Sequence, residues 1–425
     1  FVALRGPNHD GHAFVAEALV RGAAAAMVDR AIPGLPAAAP LLRVGDTLAG
    51  LAALGGFARA RSPARIVAVT GSVGKTGTKE ALRLALGACG SVSASAGSLN
   101  NHWGAPLSLA RMPAETDYGV FELGMNHPGE IAALTRLVRP HVAVITTIEP
   151  VHLGFFASIE AIADAKAEIF EGLEPGGAAV LNRDNPQYGR LADAARRLGA
   201  EVIGFGAHPE ARVRLAGCVI ERCGSRVEAV VDDRPLSYRL PVPGRHWVIN
   251  SLAVLAASIA AGADPARTAG ALARLEALPG RGRQHRLAWR GGTLTLIDES
   301  YNASPAAMAA ALAVLGATAP APGGRRVAVL GDMLELGDAA AELHRELAPA
   351  LAAAKVDRVF LVGAEMAALW AALPEARRGG LSGSAEEAIP ALCAFLAPGD
   401  AVTVKGSYGM RLGRIVERLR DRPEI

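Results

Sequence analysis

RIVAVTGSVGKTGTKE, residues Arg65 to Glu80, is the stretch around which the rest of the chain is arranged. Ile66, Val67 and Val69 are apolar and β-branched, so the run opens as a strand. Gly71, Ser72, Val73 and Gly74 then make a turn whose backbone N–H groups can converge on an anion. Ala81, Leu82, Leu84 and Leu86 mark a helix beyond it, whose N-terminus adds partial positive charge. Lys75 is placed to reach the outer phosphates of a nucleotide, and Thr76 to put its hydroxyl on Mg²⁺. The usual loop is G-x-x-x-x-G-K-[ST]; Val69 stands where its first glycine belongs, which leaves the short form G-x-x-G-K-T. Alone, the stretch supports phosphate binding, and the bland alternative is a strand–turn–helix that happens to carry glycine and lysine.

A chain of 425 residues can hold two to four domains, each with its own core. Charges nearly balance at a formal +3, which gives no reason to invoke nucleic acid or an anionic membrane. The four cysteines, Cys89, Cys218, Cys223 and Cys393, show no zinc or C-x-x-C spacing and fit a reducing cytoplasm. The most apolar helical run, Val248 to Ala261, is too short to span a bilayer and carries Asn250 and Ser258. No signal peptide is expected: the chain opens on the strand-like Phe1-Val2-Ala3-Leu4, as if inside a domain whose first strands lie upstream.

Outward from the loop, the chain reads as three α/β units. Residues 1–63 form a small one, with strands at 1–4 and 25–28, a Pro-rich loop at 32–40, and Asp46 capping a helix over 47–60. Residues 64–279 alternate strand and helix, the mark of a parallel sheet wrapped by helices. Its strands are expected at 66–70, 118–122, 141–147, 178–182 and 201–205, followed by an antiparallel extension after Arg212 and a long apolar helix over 246–261. Residues 280–425 alternate again, with strands at 293–298, 326–330, 358–362 and 401–405.

Ligands of open α/β sheets bind off the carboxyl ends of strands, and several polar residues fall there. Glu122 ends a strand and is placed to hold a nucleotide's Mg²⁺, against the bland reading of a surface carboxylate. His152 follows the next strand and is a metal or phosphate candidate, or equally a satisfied loop histidine. Lys166 falls on the apolar stripe of Ile159, Ile162, Ala163, Ile169 and Phe170. A desolvated lysine becomes a reactive amine able to take up CO₂ as a carbamate; the alternatives are snorkelling or pairing with Glu168 or Glu171. Asn100 and Asn101 can orient a polar substrate. His246 and Asn250, one turn apart on the apolar helix, need polar partners that a base or ribose could supply. Asp298 to Asn302, Asp332 and Lys405 to Ser407 sit at three strand ends of the last unit, suggesting one binding edge, although Ser304 and Asp338 also read as helix caps.

Together these strings resemble the Mur ligase family, ATP-dependent amide-forming enzymes of bacterial cell-wall precursor synthesis. TGSVGKTGTKE, NNHWGAPLSL, FELGMNHPGEI, HLGFFASIEAIADAKAEIF, DESYNASP and VLGDMLELG carry the resemblance over essentially the whole chain. It implies an N-terminal domain for a UDP sugar (1–63), a central ATPase domain (64–279) and a C-terminal Rossmann-like domain (280–425). It also implies that residues Gly71 to Gly77 hold ATP, with Lys75 and Thr76 on the phosphates and first Mg²⁺ and with Glu122, His152 and Lys166, as a carbamate, completing the metal site. Asn250, Asp298, Tyr301 and Asn302 would contact the nucleotide. Arg283 matches the family's phosphate-binding arginine best, with Arg281 competing. Asn100, Asn101, Asp332, Lys405 and Ser407 would serve the substrates. The resemblance as a whole implies addition of D-alanyl-D-alanine to UDP-N-acetylmuramoyl-tripeptide, in the cytoplasm, by a monomer.

Two positions depart from the family pattern: Gly77 stands where Thr or Ser is usual, and Tyr408 where a basic residue is common. The nearest rival within the family adds the third residue, lysine or diaminopimelate, and carries Asp-Asn-Pro-Arg in the C-terminal domain. Here Asp184-Asn185-Pro186 lies in the central unit and ends in Gln187. Folylpolyglutamate synthase shares the fold but not these strings. A nucleotide-gated binding module without ligase activity is the rival from another class, and the joint presence of Lys75, Glu122 and Lys166 argues against it.

Overall fold

The computed structural model describes residues 1–151, 154–221 and 224–421, and among these the strands assemble into three sheets. β1 (Ala26–Val28) and β2 (Leu41–Arg43) form a short parallel pair near the amino end. The stretch Phe1 to Leu4, expected as a strand, makes only one bridge, Val2 to Met27. The helix Thr47–Arg61 follows, with the Asp46 carboxylate accepting from Ala49 N at 2.7 Å as the capping pattern requires.

The largest sheet is built from β3 (Arg65–Thr70), β4 (Val92–Ala94), β5 (Tyr118–Glu122), β6 (Val142–Ile145), β7 (Ala178–Asn182), β8 (Glu201–Gly206), β9 (Val213–Glu221), β10 (Gly224–Val231) and β11 (Arg234–Leu240). Their order is β11-β10-β9-β8-β7-β6-β3-β5-β4, parallel from β4 to β9 and antiparallel from β9 to β11. Because side chains alternate along a strand, β3 feeds two cores. Val67 and Val69 pack with Leu82, Leu86, Leu252 and Leu255 of the helices Lys75–Leu86 and Arg245–Ala260. Ile66 and Ala68 pack with Leu109, Ile131, Ile162 and Phe170 on the opposite face. Each fully buried aliphatic side chain here contributes about 1.5–3 kcal/mol, so β3 is held in place from both sides and its carboxyl end is a fixed platform.

The third sheet has the order β12-β13-β17-β14-β15-β16, from β12 (Arg283–Trp289), β13 (Gly292–Glu299), β14 (Arg326–Gly331), β15 (Arg358–Val362), β16 (Arg378–Ser382) and β17 (Ala401–Lys405). β12 is antiparallel to β13 and the remaining pairs are parallel. Ser304 caps the helix Pro305–Ala317, its Oγ accepting from Ala307 N at 3.4 Å. Asp338 instead lies inside the 3₁₀ turn Gly337–Ala339, and the helix Ala340–Arg345 starts without a side-chain cap. Among the described residues, no helix is long and apolar enough to cross a membrane.

Candidate active site

The strand ends of β3, β5 and β6 are neighbours, and the loop after β3 is pinned to the loop after β6. Ser72 N donates to Thr147 O (2.9 Å), Ser72 Oγ to Glu149 O (3.1 Å), and Glu149 N back to Ser72 Oγ (2.9 Å). Gly71 (φ +143°) and Gly74 (φ +85°) take backbone conformations that L side chains rarely adopt. A Cβ at Gly71 would lie 2.0 Å from Thr146 Oγ1, and one at Gly74 would lie 2.8 Å from Asn250 Nδ2. Asn250 therefore presses its amide against the phosphate loop. The Lys75 ammonium donates to Gly71 O (2.7 Å) and Ser72 O (3.3 Å). Burial lowers its pKa; the Glu122 carboxylate opposes that shift and the Arg281 guanidinium adds to it.

Glu122 is 1% exposed at the end of β5. Its Oε1 accepts from Asn100 Nδ2 at 2.7 Å, while Oε2 is buried and has no hydrogen-bond partner among the described residues. A buried, unsatisfied carboxylate oxygen costs several kcal/mol unless a cation or donor meets it, so this oxygen fits a metal ligand. Among the described residues no group of three or more His, Cys, Asp or Glu side chains forms a metal cage. Mg²⁺ is held by one or two carboxylates and completed by phosphate oxygens and water, and the free Glu122 oxygen is a ligand of that kind. Thr76 is the second residue of the adjoining helix Lys75–Leu86 and is buried.

Lys166 is 2% exposed in the helix Ile159–Ala167, which Ser158 caps through Ala161 N (3.2 Å). Neither bland reading survives. At that exposure it does not snorkel, and both proposed partners are engaged elsewhere. Glu168 accepts from Gly129 N (2.6 Å) and Ala132 N (3.0 Å), and Glu171 pairs with Arg136 (2.7 Å). Burial, reinforced by the charge of Lys75, drives the Lys166 pKa well below the ordinary lysine value. His152 lies outside the described residues.

The C-terminal unit reaches this edge through residues just after the second boundary. Tyr301 OH donates to Ser98 Oγ at 2.8 Å, and the Arg281 guanidinium stacks 4.0 Å from the Tyr301 ring centroid. Arg281 is also the arginine whose charge acts on Lys75. Arg283, the arginine that the pattern favours, is exposed at the first position of β12. Gly282 (φ +93°) turns the chain between them, so the two side chains do not share a destination. Asp298 is spent locally, its carboxylate accepting from Gly280 N (2.7 Å) and Ser300 Oγ (2.6 Å); it shapes the turn that carries Arg281. Asn302 Oδ1 accepts from Ala303 N (2.9 Å), and its carbonyl accepts from Lys405 Nζ (2.9 Å), which also meets Glu299 Oε2 at 3.3 Å.

Three of the expected substrate residues have local duties. Asp332 accepts from Met366 N (3.0 Å) and lies against Gly363, fastening one turn to another inside the C-terminal unit rather than offering its carboxylate outward. Ser407 Oγ accepts from Leu334 N (2.9 Å), and Asn101 Oδ1 from Gly104 N (2.9 Å) at a helix start. The residues that do meet are Gly71 to Thr76, Asn100, Glu122, Lys166, Asn250, Arg281 and Tyr301. They combine an anion cradle, one unsatisfied carboxylate oxygen and a desolvated amine, a set suited to moving a phosphoryl group between anionic oxygens.

Two family descriptions match consecutive parts of this architecture: "Mur ligase middle domain" over residues 69–258 and "Mur ligase, glutamate ligase domain" over residues 282–408. The chain belongs to the Mur ligase family. A UDP-N-acetylmuramoyl-tripeptide–D-alanyl-D-alanine ligase of Rickettsia prowazekii is 33% identical over 98% of this chain and 91% of its own length. A crystal structure of MurF from Acinetobacter baumannii superposes with a TM-score of 0.87 at 29% identity, covering 99% of this chain and 90% of that one. MurF from Thermotoga maritima, solved in complex with ADP, gives 0.81 at 28% identity, covering 98% and 93%.

This Mur ligase also uses a residue that sequence reasoning missed. Lys79 is fully buried, and its ammonium donates to Ser95 O (2.6 Å) and Gly97 O (2.9 Å) while pairing with Glu80 Oε1 (2.6 Å). It ties the phosphate-loop helix to the segment that carries Ser98 and Asn100. The signal was present: Lys79, Leu82 and Leu86 lie on one helical stripe, and a lysine among leucines asks for partners.

Proposed function

We propose that this Mur ligase joins the terminal carboxylate of UDP-N-acetylmuramoyl-tripeptide to the amino group of D-alanyl-D-alanine, using ATP, in peptidoglycan precursor synthesis. The observation that carries the reading is the meeting of Lys75, the unsatisfied Glu122 Oε2 and the desolvated Lys166 at one sheet edge. The likeness, over 98% of this chain, to a relative named for this reaction and to one solved with ADP supports the choice of substrates and nucleotide.

The γ-phosphoryl group of ATP passes to the tripeptide carboxylate, giving an acyl phosphate and ADP. Lys75 and the phosphate-loop amides stabilise the charge on the transferring oxygens, with Arg281 approaching from the C-terminal side. Asn250 orients the nucleotide from the loop's flank. The dipeptide amine then attacks the acyl carbon; the tetrahedral adduct loses phosphate and a proton, leaving the amide. Mg²⁺, when bound, neutralises phosphate charge, and Thr76 and Glu122 are the described residues that would hold it. Lys166 joins them as a carbamate: its neutral amine adds to CO₂ and releases one proton, turning a buried base into an anion. We assign residues 1–63 to the UDP sugar, 64–279 to ATP and 280–425 to the incoming dipeptide. Contact of the last unit with Ser98 shields the acyl phosphate from water.

The test is phosphate release from ATP in the presence of UDP-muramoyl tripeptide, with D-Ala-D-Ala or single amino acids added. Release is expected only with tripeptide and dipeptide together. Release without the dipeptide, or equal release with a single amino acid, overturns the assignment.

A further inference from the structure

Gly77 lies in the first turn of the phosphate-loop helix, where a glycine weakens the start, and the structure supplies a reason for it that local sequence does not. A Cβ at Gly77 would stand 2.8 Å from Cη2 and 3.1 Å from Cζ3 of Trp247. The indole thus fills the volume that a side chain at 77 would occupy. Trp247 is 7% exposed, so it cannot swing into solvent to make room. Three residues on along the same helix, Asn250 makes the equivalent approach to Gly74, 2.8 Å from its Cβ position. The pairs 74/250 and 77/247 share a spacing of one helical turn, so one face of the helix Arg245–Ala260 is docked on the first turn of the phosphate-loop helix. The opposite edge of the indole, Nε1, lies 3.8 Å from the Cβ position of Gly282, in the turn that sets Arg281 over Tyr301.

We propose that Gly77 and Trp247 are a matched positioning pair, in which the indole sets the height of the phosphate-loop helix and braces it against the turn bearing Arg281. The pair tunes nucleotide binding at the site assigned above, on whose reading it rests. Neither residue touches reacting atoms. Both act through backbone amides at 74–77 and through Arg281. Residues in contact give coupled rather than additive effects, and overpacking a filled site displaces what surrounds it.

The decisive measurement is ADP affinity by calorimetry, which needs no ligation, alongside KM for ATP and for D-Ala-D-Ala. Gly77→Thr is expected to weaken ADP binding about tenfold or more, and Trp247→Ala about threefold. The double variant should return to within about threefold of the parent, because the alanine vacates the space that the threonine needs. The ATP KM should follow the ADP affinity while the dipeptide KM stays constant. Losses that simply multiply in the double variant overturn the proposal. So does a fall in melting temperature with ADP affinity unchanged, which is what a merely structural contact gives. If Gly77→Thr does not fold, Gly77→Ala crossed with Trp247→Ala asks the same question with one methyl group. Parent protein that binds ADP yet ligates nothing would sink the functional assignment while leaving this comparison intact.

Discussion

Lys166 shows what one residue's surroundings can decide. On the sequence it is a lysine in an apolar stripe, and spacing alone cannot separate a reactive amine from a paired one. Burial and the prior engagement of Glu168 and Glu171 remove the pairing that the spacing allowed. The sign of the pH effect follows. With the folded-state pKa depressed, the unfolded chain binds a proton that the folded one rejects, so stability rises with pH from the folded value up to the ordinary lysine value. The penalty is complete below that window and gone above it. In CO₂-free buffer, where Lys166 is the free amine, Lys166→Met should therefore raise stability at neutral pH, on the order of 2 kcal/mol, with the gain shrinking in urea titrations run at rising pH. Its activity should fall about a hundredfold or more, the scale for losing one electrostatic contributor. Lys166→Ala partly rescued by short carboxylic acids would support the carbamate; undiminished activity would refute it.

At the scale of elements, the strands that the sequence hides are edges. β4, β12 and β16 each end a sheet, and β2 is half of a two-stranded one. Strands such as β3 and β14 are buried on both faces and read as continuous apolar runs, while edges need no such run. β12 begins Arg283-Gln284-His285-Arg286, and β16 carries Gly379 and Gly380. The phosphate loop was legible because its signals are local. Gly77 was not, because its explanation sits at Trp247, far along the chain. Lys79 makes a testable case of one element fastening another. Lys79→Met strands two buried carbonyls and leaves the Glu80 carboxylate with Arg83 (2.7 Å) as its remaining cation, and should cost about 2–4 kcal/mol in chemical denaturation. It should also raise the Mg²⁺ concentration needed for half-maximal rate, because the loosened segment carries Asn100, which orients Glu122. His141 fastens β3 at its other end: Nδ1 accepts from Ile66 N at 2.9 Å, and burial is the main cause that lowers its pKa to about 4. The unfolded chain takes up that proton first as pH falls, so stability is lost between the ordinary histidine pKa and about 4. A His141→Gln variant should show a flatter melting-temperature profile across that interval.

Across the whole molecule, the central and C-terminal units meet, among the described residues, through direct bonds at two places. Tyr301 OH donates to Ser98 Oγ, and Gly154 N donates to Glu335 O at 3.1 Å. A neutral hydrogen bond between side chains is worth about 0.5–1.5 kcal/mol net, so removing one moves a two-state domain equilibrium by about two- to tenfold. Tyr301→Phe keeps the ring under Arg281 and deletes only the hydroxyl, isolating that bond from the stack. Small-angle scattering of the variant without nucleotide should show a larger radius of gyration than the parent. Saturating ADP and tripeptide should close the gap, since ligands that bridge the units favour the joined state. The kinetic trace of the same shift is a raised KM for D-Ala-D-Ala with kcat little changed, because in the proposed function the joined state assembles before the amine is admitted and reacts normally once formed. Ser98→Ala should reproduce both effects, and the double variant should be no worse than either single one. Unchanged scattering with a lowered kcat would instead place the Tyr301 hydroxyl in the chemistry rather than in the docking of one unit on the other.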